Sequence, residues 1–183
     1  EWKFWHHIVN SLHDYTSHTR SYVEWFLESI RKGDNATAMY VLGQLRISLS
    51  NIEEHYHHLN SWIEIEHRSK MHYIRDPIAE VSGPDITYIE EKLPKGKLSY
   101  RAIELLVEFI NALVEAYDST RLYILKIDEE HSLMGREKIT VSFIGGIMNY
   151  SRIEIPNYTP PEMDEVIEKL RSIEKELRKT LHS

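Results

Sequence analysis

Apolar positions in the first third of the chain recur at alternating steps of three and four. Trp5, Ile8, Leu12, Tyr15, Thr19, Tyr22 and Phe26 form one run, and Leu45, Leu49, Ile52, Tyr56, Leu59 and Ile63 form a second. Such spacing gathers each set on one side of a helix. Val9, Thr16, Val23 and Ile30 widen the first stripe; Val41, Ser48, His55 and Trp62 flank the second. Between the runs lies Lys32-Gly33-Asp34-Asn35. Gly33 suits the left-handed position that ends a helix, and Asp34 or Asn35 can cap the next. The pattern predicts a helical hairpin over residues 1–75, with helices from about Trp2 to Arg31 and from about Asn35 to Arg75. Pro77 stops the second, because the residue before a proline is pushed out of helical geometry.

Residues 76–98 read as a long connection carrying Gly83-Pro84 and Pro94-Lys95-Gly96, with a short helix near Asp85 to Lys92. Ser99 is a cap for a third helix reaching about Glu130, whose seam is Ile103, Leu106, Ile110, Leu113, Tyr117, Thr120, Ile124 and Ile127. Within 137–155, Ile139, Val141 and Phe143 alternate before Gly145-Gly146, and Met148 and Tyr150 after it. A small β-hairpin is the favoured reading there, a short helix the alternative. Thr159-Pro160-Pro161-Glu162 combines a Thr cap, first-turn prolines and a capping-box Glu. Met163, Val166, Leu170, Ile173, Leu177 and Leu181 then form a fourth stripe.

The expected fold class is mainly α: an up-down bundle of four long helices, with the 76–98 connection and the hairpin as irregular parts. Residues 1–183 form one domain, in which 99–183 carries the third and fourth helices.

Composition narrows the function classes. Apolar residues make up 42% of the chain and charged residues 28%, a balance that supports a folded core. The net charge of −7 argues against a nucleic-acid surface, which depends on Lys and Arg. The absence of cysteine removes disulfides, thiolate zinc sites and Cys nucleophiles, and is compatible with a high-temperature origin. No apolar run reaches the roughly 18 residues that a membrane span requires. The cytoplasm is the favoured location. The Glu1 start and the Asn35, Asn149 and Asn157 glycosylation-type triplets keep a secreted or virion structural subunit as an alternative.

Nine of the eleven histidines fall within the first 72 residues. Imidazole ligates metals and titrates near neutral pH, so their placement decides whether chemistry resides there. Glu53, His57, Asn60, Glu64 and His67 follow steps of four, three, four and three on one helix face. Glu53, His57, Glu64 and His67 are therefore the candidate ligands for iron, manganese or zinc. Glu54-x-x-His57 and Glu64-x-x-His67 share the Glu-x-x-His spacing of ferritin-like diiron helices. Those proteins place one motif on each of two helices. Here both lie on one helix, and the nearest counterpart on the third is Asp128-x-x-His131, so the chain is not assigned to that family. His18 and His55 flank the seam and are a candidate secondary metal site or buried pair.

Trp2, Phe4, Trp5, Trp25 and Trp62 crowd the hairpin, several of them off its seams. Exposed aromatic patches mark contact with another chain. No nucleophile elbow, HExxH or phosphate-cradling Gly loop occurs. The leading expectation is thus a non-enzymatic bundle without a cofactor, acting through contact with itself or another protein as an assembly subunit. A His/carboxylate metal-binding bundle with a redox or oxygen-handling role is the alternative.

Overall fold

The computed structural model describes residues 2–67, 74–131, 139–144, 147–152 and 158–183, with side chains placed at 7–61, 74–127 and 158–183. The protein is mainly helical, as its stripes predict. α1 spans Trp2–Arg31, α2 Asn35–His67, α3 Ile86–Lys92, α4 Tyr100–His131 and α5 Met163–Leu181. A 3-10 helix, Pro77–Glu80, precedes α3. Strands β1 (Ile139–Ile144) and β2 (Ile147–Arg152) pair antiparallel, from Ile139 opposite Arg152 to Ile144 opposite Ile147.

The α1–α2 turn forms as its residues dictate. Gly33 adopts φ +70°, the Gly33 N–H donates to Ile30 O and the Asp34 N–H to Ser29 O. Asp34 Oδ1 then accepts the Thr37 N–H at 3.0 Å and caps α2. The antiparallel register brings Thr19 Oγ1 within 2.6 Å of Ser48 Oγ inside the interface. Asp85 caps α3 through the Tyr88 N–H, and Ser99 caps α4 through the Ala102 N–H.

α1 packs on α2 and α4, and α4 packs on α5. Arg101, near the start of α4, reaches Glu176 of α5 at 2.7 Å. Phe26, Leu45, Ile52, Leu59, Leu106 and Leu170 are among the wholly buried centre of one continuous core. Each such burial stabilises the fold by about 2 kcal/mol relative to exposure.

Two predicted boundaries are corrected. α2 does not run to Arg75: the helix is described to His67, and Ile74 to Asp76 are already non-helical. The Asn60 carboxamide binds both polar groups of the Ile74 backbone, so the chain returns along α2 rather than extending it. α5 begins at Met163, and Thr159 does not cap it. The Thr159 hydroxyl instead accepts the Arg75 N–H at 3.2 Å.

Candidate functional site

The site is built on residues 74–76, which α2, α4 and α5 hold from three sides. Asn60 Nδ2 donates to Ile74 O at 2.8 Å, and the Ile74 N–H donates to Asn60 Oδ1 at 2.6 Å. The Tyr56 hydroxyl donates to Arg75 O at 2.6 Å. The Arg75 guanidinium forks onto both oxygens of Glu80, at 3.0 and 2.7 Å, and also donates to Asp164. The Glu80 hydrogen bonds, followed by that to Asp164, raise its pKa beyond the usual Arg value. Both backbone polar groups of Ile74 and of Arg75 have partners, which fixes how the chain enters Asp76.

Asp76 turns its two oxygens to different tasks. Oδ1 accepts from the Tyr117 hydroxyl at 2.8 Å and from the Ile78 N–H at 3.2 Å, the latter capping the 3-10 helix. Oδ2 is buried and accepts no hydrogen bond among the described residues. It faces His57 Nε2 at 3.4 Å, and that nitrogen lies 3.6 Å from Glu53 Oε1. The Asp76 side chain is only 9% exposed, whereas that of His57 is 61% exposed. Burial pushes the Asp76 carboxyl above the usual carboxylate range; the Tyr117 and Ile78 donors work against that shift. The Tyr117 hydroxyl is also raised, first by burial and then by the charge of Asp76 beside it.

Glu53, His57 and Asp76 each offer one ligand atom, all within 4.8 Å of one another. A carboxylate–imidazole–carboxylate set of that size can share one cation. Two of these three residues belong to the stripe singled out in the sequence. The third, Asp76, does not, although Asp before Pro is a turn signal. Glu64 and His67 lie on α2, but their side chains fall outside the described residues. Asn60, in the middle of the stripe, faces Ile74 and works as a backbone clamp.

The other candidates separate. His18 is exposed, against the expectation of partial burial, because neighbouring Thr19 takes the seam position opposite Ser48. His55 is half-buried, tilted against Tyr15 at 5.0 Å between ring centroids, with Nδ1 2.8 Å from Asn51 O. Trp25 is 43% exposed and meets Tyr40 edge to face at 6.0 Å. The side chains of Trp2, Phe4, Trp5 and Trp62 lie outside the described residues.

No family model, curated protein or solved structure matches this chain. Among the described residues, no helix is long and apolar enough to cross a membrane.

Proposed function

We propose that this helical bundle binds one divalent metal cation between Glu53, His57 and Asp76. The observation that carries the reading is Asp76 Oδ2: a buried carboxylate oxygen that accepts no hydrogen bond among the described residues, 3.4 Å from the His57 imidazole and beside a second carboxylate. Leaving such an oxygen unsatisfied is costly, and a cation removes the cost. The oxygen/nitrogen donor set suits zinc, manganese or iron(II). Three protein ligands leave coordination positions for water or a ligand oxygen, the arrangement that Lewis-acid chemistry needs.

Titration of EDTA-stripped protein with zinc, manganese and iron(II), followed by calorimetry and thermal unfolding, tests the reading. One cation should bind and raise Tm, since a ligand at 100 times its Kd stabilises by about 2.7 kcal/mol. Asp76→Asn and His57→Gln should remove most of that rise. A chain indifferent to all three cations would sink the reading.

A second reading, self-association through protein contact, has its own support. The exposed Trp25–Tyr40 pair bridges α1 and α2, and exposed Ile47 follows Tyr40 one heptad along α2. Rings of this kind are enriched where chains meet. Sedimentation should then find an oligomer at tens of micromolar that Trp25→Ser weakens; a strict monomer rejects it.

A further inference from the structure

A cavity of about 220 Å³ runs along α2, between that helix, α4 and the stretch from Ile78 to Ile86. Leu45, Phe109, Ile110 and Leu113 form its buried walls. Exposed Arg46 and Ser50 stand at its edge. Protein interiors are close-packed, and a dry cavity of about 150 Å³ lined by Leu, Ile and Phe is already enough to admit benzene. This void therefore has room for a small organic molecule.

The cavity is not separate from the Glu53–His57–Asp76 cluster. Glu53 lines the cavity and also offers a ligand atom to the cluster. Tyr117 lines the cavity as well, and its hydroxyl holds Asp76. A molecule lying along α2 thus has hydrocarbon around its body and the cluster at one end. With a divalent cation in place, the charges of Glu53 and Asp76 are offset, and coordination positions remain open for an oxygen ligand. Arg46, the one cationic residue among the described lining residues, pairs with Glu90 at 3.1 Å. A protonated ammonium head has no lone pair to offer the cation, whereas a carboxylate oxygen can ligate it.

We propose that the cavity takes a small carboxylic acid with an apolar body, its carboxylate completing the coordination of the cation at Glu53, His57 and Asp76. This rests on the cation reading. It adds a ligand class and a dependence: the acid and the cation bind with positive coupling, because without the cation Glu53 and Asp76 repel the carboxylate.

Calorimetry with octanoate on zinc-loaded and EDTA-stripped protein tests it, with octylamine as the contrasting head group and zinc affinity measured in the same series. Octanoate should bind the zinc-loaded chain about tenfold or more tightly than the stripped chain, in line with ordinary coupling strengths. Leu49→Trp and Ile86→Trp, each placed to fill the cavity, should abolish octanoate binding while keeping the zinc-induced rise in Tm, which reports that the variant is folded. Zinc binding without octanoate binding, equal octanoate affinity with and without zinc, or a preference for octylamine overturns the cavity proposal and leaves the cation reading standing. Failure to bind zinc overturns both.

Discussion

The Asn60 side chain pairs with the backbone of Ile74 as a neighbouring strand would, donating to its carbonyl and accepting its N–H. One carboxamide thereby holds Ile74 against α2 and fixes the direction from which Asp76 arrives. Ile74 is fully buried, so water is no substitute partner. Asn60→Ala should destabilise the protein by about 2 kcal/mol in urea unfolding, the expected cost of stranding a buried donor and acceptor. A loss below about 0.5 kcal/mol would mean that the segment is held elsewhere.

Asp76→Asn should act in opposite directions with and without metal. In stripped protein at neutral pH, replacing a desolvated carboxylate by a neutral amide relieves the burial cost that raises its pKa, so Tm should rise. With zinc present, the same variant should lose the metal-induced stabilisation. Paired thermal scans with EDTA and with zinc would expose the crossing; a variant that is less stable in both contradicts it.

Tyr56 and Tyr117 are both raised above the ordinary tyrosine value of 10.0, mainly by burial. Their rings meet edge to face at 5.0 Å. A hydroxyl with a raised folded pKa keeps its proton in the native state after the unfolded chain has begun to lose it. Stability is therefore undiminished below about pH 10 and falls as the pH climbs beyond it, by about 1.4 kcal/mol per pH unit for each tyrosine. Tyrosinate absorbance from these two rings should appear together with loss of helical circular dichroism. Their ionisation in a fully helical protein would refute the coupling.

Glu174 is a buried carboxylate on α5, 2.7 Å from Arg178 and 3.3 Å from the Ser82 N–H. It fastens the 76–98 connection to α5. Glu174→Ala should cost about 2 kcal/mol, within the range for hydrogen bonds to charged groups. Glu174→Gln, which keeps the shape and an acceptor, should cost less. Chemical denaturation of both variants checks the ordering.

The sequence made the periodic parts of this fold legible. Stripes at steps of three and four mark the helices, Gly33 marks the turn, Asp85 and Ser99 mark two helix starts, and alternation about Gly145-Gly146 marks the strand pair. Each of those signals is local. The candidate site was partly legible, because Glu53 and His57 share a helix face, whereas Asp76 is brought to them by tertiary contacts such as those of Asn60, Tyr56 and Tyr117. Periodicity alone carries α2 onward to the proline and misses the carboxamide that holds Ile74 against α2. Thr159 misleads for a related reason: a hydroxyl three residues before Glu162 looks like a cap, but a distant N–H competes for it.

Thr19 and Ser48 place two hydroxyls against each other in a mostly apolar interface. Sliding α1 by one heptad toward the start of α2 would break this bond and set Thr19 against Val41 and Ser48 against Leu12. The pair therefore acts as an alignment pin, and mispaired hairpins carry a penalty that their apolar stripes, being nearly repetitive, would not impose. Replacing both with valine would leave a hairpin that is no weaker but less certain of its own alignment.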